Sequence, residues 1–418
     1  GYTFEGWFTA SSGGAYVGAG GSSYTPTASV TLFAQWTSNI GTSILDLLPE
    51  NPSSVVVGSS VVYTAYVNNT SGNSPLTGNV TFYVNGVAVP GCTNQHLLGG
   101  ESANCDIDFP NAGTFTVTAT YANDPKNATS TDSSTQDVTK GNTSLSLSRS
   151  SSITVGGTVK YTADVDETSG SGPLTGTVTF TDNGVNITGC ASIPVGNGTV
   201  SCSVSFLSAG NVTIAATYSG SSNFNGSTAS LSQQVNKGST SLTLSPSTPV
   251  LSGATVVYSA SVVETSGSGS LTGSVSYTQN GVAIAGCQNL ALVSPKCSVH
   301  FTSTGTFSIV ATYSNDNNFA GSSGTVSQVV GTKPVIASSN SVSARVGHSF
   351  SFQVVATGSP TPTLSYTGAL PHGVTFNSST GVLSGTPANG TRGTYSITVV
   401  ATNSLGLTSQ VITLTVTQ

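Results

Sequence analysis

Six cysteines carry the one spacing in this sequence that invites chemistry: Cys92/Cys105, Cys190/Cys202 and Cys287/Cys297. Such pairs could close disulfides, hold a metal or remain buried thiols. The metal reading is poor, because zinc sites use close C-x₂₋₄-C pairs completed by further Cys or His, and neither joins any pair here. Each second cysteine shares the phase of apolar neighbours, in Cys105-Ile107-Phe109, Cys202-Val204-Phe206 and Cys297-Val299-Phe301. Both partners are therefore expected near a core edge. Connectivity is not readable from six cysteines in general, but a pair that recurs in each copy of a repeat points to pairing within the copy. Closing loops of this size contributes about 3 kcal/mol per domain in the loop-entropy account and implies an oxidising, extracellular setting.

The other reactive side chains are scattered. His96, His300, His348 and His372 fall in different segments without metal-ligand spacing, and His300, between Val299 and Phe301, is expected to face solvent. No nucleophile elbow or phosphate-cradling glycine loop opens a helix, so no catalytic, cofactor or metal residue is expected. Asp106 and Asp108 alternate on an outward face. Asp164, Asp166 and Glu167 lie near a strand end, where a weak calcium site stays open, although Ca²⁺ wants six to eight oxygens at a sharp turn. Lys160 could enter an intramolecular Lys–Asn cross-link, but its counterparts are Val62 and Val257. Eleven Asn-x-Ser/Thr sequons, Asn79, Asn186 and Asn211 among them, match chance in so Ser/Thr-rich a chain. Trp7 and Trp36, with Phe4, Phe8 and Phe33, are expected in a core rather than on a sugar-stacking platform; Tyr366, Phe376 and Tyr395 are read as core likewise.

Composition narrows the partners. Only 6% of the 418 residues are charged, with a net charge of −6, which leaves no electrostatic footprint for nucleic acid or anionic membrane. The 36% of hydrophobic residues separates the chain from disordered sequences, which couple low hydrophobicity to high charge. No apolar run reaches the length of a membrane span and no signal peptide opens the chain. The start at Gly1 and the absence of Met suggest a processed or truncated piece of something longer.

The elements that must position the cysteines come from repeats. SGNSPLTGNVTFYVNGVAVPGC, SGSGPLTGTVTFTDNGVNITGC and SGSGSLTGSVSYTQNGVAIAGC align, as do the stretches ending in Tyr121, Tyr218 and Tyr313. The period is one domain long. Within each copy apolar residues alternate, as in Phe115, Val117, Ala119 and Tyr121, which predicts half-buried strands. Asn85-Gly86, Asn183-Gly184 and Asn280-Gly281 predict tight hairpins. No apolar 3.6-residue periodicity survives beyond a turn. Short strands with frequent turns describe two-sheet sandwiches, and the joints DVTKGNTS and QVNKGSTS, at Lys140-Gly141 and Lys237-Gly238, are short enough to favour a stiff rod.

These residues resemble a known family. The pattern (S/P)LTGxV(T/S)(F/Y)…NGV…ATYxxxxN(F) resembles bacterial immunoglobulin-like (Ig-like) repeats of surface proteins, in three copies; the first departs at its end, with NDPKNA in place of NF. Residues carrying SARVGHSFSFQVVATG, ALPHGVTFNSSTGVLSGTP and GTYSITVVATNSLG resemble cadherin-like, Ig-type modules of prokaryotic surface proteins. GYTFEGWFTASSGG…YTPTASVTLFAQW is similar to the back half of a Listeria–Bacteroides repeat. The resemblance implies an all-β chain of tandem Ig-like β-sandwiches in a rod after a partial small β module: residues 1–40, then Ig-like domains at 41–140, 141–237 and 238–331, and a fourth at 332–418.

Three functions follow as expectations. One is an extracellular stalk of a prokaryotic surface or adhesin-type protein, roughly 150 Å long from strand rise and domain size. Another is the protomer of a filament, with a second copy of the chain as partner through sheet edges or an exchanged strand. A third is a module for glycan or host cell-surface protein, with specificity in the SGNS and SGSG turns, although these lack the aromatic and charged residues of binding hot spots. The LPENP stretch from Leu48 lacks the Thr-Gly of a sorting signal and is internal.

Overall fold

A computed structural model describes residues 1–50, 54–71, 74–245 and 247–418; Asn51 and Pro52 of LPENP, and Gly72 and Asn73 of SGNS, lie outside the described residues. Among the described residues there are strands and turns but no helix, and so none long and apolar enough to cross a membrane. Thr, Val and Ser at alternating positions produce this. Branched side chains fit a pleated surface, and period-two burial leaves one face apolar.

In the first repeat Ser60–Asn69 is the centre of a three-stranded sheet between Ser43–Pro49 and Ser102–Asp108. The facing sheet runs Ser54–Val56, Ser130–Thr139, Gly113–Ala122, Asn79–Val84, Val87–Ala88. Ser54–Val56 joins it in parallel. Val61, Tyr63, Ala65 and Val67 from one sheet meet Val80, Phe82, Val117, Ala119 and Tyr121 from the other, all fully buried. The hairpin after Asn79–Val84 turns on Asn85 (φ 45°) and Gly86 (φ 81°), the left-handed pair that matches strand twist. The second and third repeats have the same two sheets in the same order, with Asn183-Gly184 and Asn280-Gly281 in the same conformation.

The end of the third repeat is built differently. Ser322–Ile336 is one strand that pairs with Gly305–Ser314 as far as Val330. It then pairs with Ala356–Ser359 through Thr332, Val335 and Ile336. The expected join at 331/332 therefore lies inside a strand. Beyond it, Ser341–Arg345, Gly406–Thr417, Gly393–Asn403 and Thr363–Thr367 form one sheet, and Phe350–Gln353, Val382–Gly385 and Val374–Asn377 another. Ile397, Val399, Leu383, Ile412 and Leu414 fill the space between them. At the other end of the chain, Tyr16–Gly18, Tyr2–Phe8 and Phe33–Ser38 make a three-stranded sheet. The described residues fall into two compact units, Gly1–Ser150 with Lys160–Val204 and Val212–Gln233, and Ser151–Val159 with Ser205–Asn211 and Gln234–Gln418.

Two expected cores are corrected. Trp7 is 39% and Trp36 57% exposed, because three strands offer no second layer to bury them. Both instead lean on half-buried Phe4, at ring distances of 5.5 and 4.9 Å. Tyr366 is 37% exposed and covers the edge of Phe376 at 5.2 Å. Phe376 is buried and Tyr395 packs against the core.

Candidate functional site

Each cysteine pair closes the same gap. Cys92 follows the hairpin turn, and its carbonyl accepts the Phe82 N–H at 3.0 Å, which ties it to strand Asn79–Val84. Cys105 lies in Ser102–Asp108 of the other sheet, paired with Tyr63. Their disulfide therefore joins the two sheets at an edge where, among the described residues, the backbone supplies only the isolated Leu98–Ser102 bridge and no ladder. Cys190–Cys202 and Cys287–Cys297 do the same, with carbonyls bound by Phe180 and Tyr277 at 2.9 Å. Their Cα atoms are 5.7, 5.7 and 5.4 Å apart in the three pairs, and all six cysteines are buried.

Behind each staple sits a polar pair that the sequence reading passed over. Tyr63 donates to Gln136 Oε1 at 2.8 Å, Tyr161 to Gln233 at 3.3 Å and Tyr258 to Gln328 at 2.8 Å. The three glutamines are fully buried. Each pair spans the sandwich core from one sheet to the other, and burial pushes the phenols of Tyr63, Tyr161 and Tyr258 up to about 12. A glutamine in the inward phase, two residues before buried Val138 or Val235, was the available signal.

A second polar device caps the last loop. Tyr121 in the first repeat and Tyr313 in the third donate to Asp124 and Asp316. Asp316 Oδ2 also accepts the Thr272 N–H at 2.7 Å, and Oδ1 accepts those of Asn318 at 2.7 Å and Phe319 at 3.0 Å. Burial opposes the charge, yet the donors, led by Thr272, hold this carboxyl well below the usual carboxylate range. Asp124 is held down in the same way, against burial, by Thr77, Tyr121, Asn127 and Lys126. A depressed folded value means that the contribution is complete above the ordinary carboxylate value near 4 and drains away as the pH falls below it. The second repeat has Ser221 at this place. We predict that Asp316→Asn lowers the melting temperature at pH 7, and that the gap from wild type narrows at pH 3. A gap independent of pH would show that the carboxylate charge contributes nothing.

The remaining candidates do not converge. Asp106, Asp108, Lys160 and His300 face solvent. Asp164 accepts the Thr199 hydroxyl at 2.7 Å, and among the described residues no group of three His, Cys, Asp or Glu gathers that could hold a metal. The SGSG turns are engaged rather than open: the Ser171 N–H donates to the Val57 carbonyl and the Ser268 N–H to that of Val155, both at 3.0 Å.

Comparison places these sandwiches. The family described as Bacterial Ig-like domain (group 3) matches residues 48–139 and 145–236, and the one described as Putative Ig domain matches 333–417. No curated protein matches the chain. Among solved structures, Sidekick-1 immunoglobulin domains 1–4 align at 12% identity over 90% of this chain and 99% of that one, with a TM-score of 0.33. Invasin, a bacterial integrin-binding protein, aligns at 15% identity over 89% of this chain and 79% of its own, with a TM-score of 0.38. At TM-scores below 0.5, neither bears on the function of this chain. The common order of the sheets in the three repeats makes this an all-β, tandem Ig-like protein, in which the first two repeats match the bacterial Ig-like domain of group 3 and the last sandwich matches the Putative Ig domain.

Proposed function

We propose that the chain is an extracellular structural stalk segment of a prokaryotic cell-surface or adhesin-type protein, without catalytic chemistry of its own. The observation that carries this is the use made of the cysteines: all six join sheet to sheet at the same edge of three successive sandwiches. Small domains need such staples where the environment oxidises thiols. Tandem Ig-like domains themselves support a structural or adhesin-like role. Alkylating protein taken from its native source without reduction, followed by mass spectrometry, tests the location: no free thiol is expected, and six would overturn it.

One observation favours a second reading, self-association into a filament. In the N-terminal sheet, strand Phe33–Ser38 is an edge strand, and Tyr2, Tyr16, Tyr24 and Trp36 are exposed, which is a template for strand addition. Light scattering separates the two, since monomers at high concentration exclude the filament.

A further inference from the structure

We propose that the Asn-Phe pair in the last loop of the second and third repeats, with the SGSG turn beside it, is a docking surface whose partner is the base of a preceding repeat of the same kind, and that it holds each joint in one orientation. At the first joint the Asn223 amide is used on both sides. Its Oδ1 accepts the Ala112 N–H at 3.0 Å and its Nδ2 donates to the Pro110 carbonyl at 3.1 Å. Ser171 adds its bond to Val57. That approach needs Gly58, at φ +82°, where a Cβ would stand 2.6 Å from the Ser171 carbonyl oxygen. Phe224 is fully buried, and a Cβ on Gly141 would stand 2.7 Å from its ring. The linker is held as well: the Gly141 N–H donates to the Asn223 carbonyl at 2.9 Å and Lys140 Nζ to that of Ser221 at 2.6 Å.

Every part recurs at the second joint. Asn318 Oδ1 accepts the Ala209 N–H at 3.0 Å, and its Nδ2 donates to the Leu207 carbonyl at 3.3 Å. Ser268 takes the place of Ser171 and Gly156, at φ +82°, that of Gly58, with a Cβ 2.5 Å from the Ser268 carbonyl oxygen. Phe319 packs on Gly238, and Lys237 Nζ donates to the Asp316 carbonyl at 2.6 Å.

The exceptions support the assignment. In the first repeat, which no Ig-like repeat precedes in this sequence, the equivalent positions hold Lys126 and Asn127; a lysine has no acceptor for a facing N–H. The third repeat has the receiving glycine, Gly253 at φ +89°, but a Cβ there meets nothing within 4 Å. That end continues instead as the strand Ser322–Ile336. Joints between domains of one chain are mobile by default, so a donor–acceptor amide repeated at the same place is a device against that mobility.

The inference deepens the stalk reading and rests on it only for its purpose. Limited trypsin digestion of the full, oxidised chain tests it, because Lys140 and Lys237 lie in the joints while Lys160 and Lys296 lie in strands. Asn223→Ala is expected to speed cleavage after Lys140 roughly tenfold, the scale of losing two hydrogen bonds, and to leave Lys237 unchanged; Asn318→Ala does the reverse. Gly58→Ala, acting from the receiving side, should repeat the Asn223→Ala pattern. Unchanged rates, equal acceleration at both joints, or cuts at Lys160 and Lys296 rising as much as at the joint would overturn the proposal, the last by making Asn223 a folding residue of its own repeat. Such a failure leaves a flexible stalk possible, whereas free thiols in the native protein defeat the stalk reading and leave the joint intact.

Discussion

Replacing Cys190 and Cys202 together by alanine lowers the stability of the second repeat by about 3 kcal/mol, the loop-closure contribution of a bridge of this span. For a domain of this size that is a fall of roughly 15 to 20 °C in its melting temperature. The reason is topological as well as entropic. At that edge strand Thr199–Ser205 belongs to one sheet and Thr177–Asp182 to the other, so the sulfur bridge is the covalent tie where backbone pairing stops. Calorimetry of the full chain supplies its own control, because the sandwich beyond residue 336 contains no cysteine. Reduction should lower the transitions of the three repeats and leave that of the fourth sandwich in place. An unchanged thermogram would mean that side-chain packing alone holds the edge.

The second large effect is at the buried amide. Gln136→Leu is expected to cost roughly 2 to 3 kcal/mol, because it strands the Tyr63 hydroxyl in an apolar core and removes the amide's bond to the Asp137 carbonyl at 3.1 Å. Adding Tyr63→Phe should recover most of that loss, since replacing both partners by apolar groups of similar shape is close to neutral. Urea unfolding of the four variants measures the coupling as a double-mutant cycle. If the two losses simply add, the pair is two separate polar groups and the bond between them contributes nothing. The coupling between Tyr258 and Gln328 in the third repeat should be of similar size, because their distance is the same 2.8 Å, while Gln328→Leu alone also gives up the amide's bond to the Thr248 carbonyl at 2.8 Å.

What could be read without coordinates was periodic. Alternation along Phe115–Tyr121 placed Val117, Ala119 and Tyr121 inward, and they are fully buried, because a strand has only two faces and one must leave water. Asn-Gly pairs marked the hairpins since few residues tolerate φ above zero twice in succession. The Asn-Phe departure in the first copy was visible too, but its meaning was not, because its partners lie about 110 positions earlier in the chain.

Misreadings arose where local pattern met missing or distant neighbours. Trp7 and Trp36 have the composition of a core, yet burial needs a second layer, and the sheet of three strands provides none. Tyr366 has core phase but lies on Thr363–Thr367, an edge strand of its sheet. Gln136 has a polar side chain in an inward phase, and only the facing sheet brings the hydroxyl that makes its burial tolerable.

By itself the sequence determined the repeat, the strand phase, the hairpins and the expectation that each repeat pairs its own cysteines, all properties of residues near one another in the chain. Tertiary structure decided which sheet each cysteine belongs to, which polar groups satisfy one another in the core, and that the Ser-Gly turns hold the joints. Those outcomes depend on what arrives from the opposite sheet or the preceding sandwich, and an unpaired donor or acceptor in a strand pattern does not announce where its partner lies.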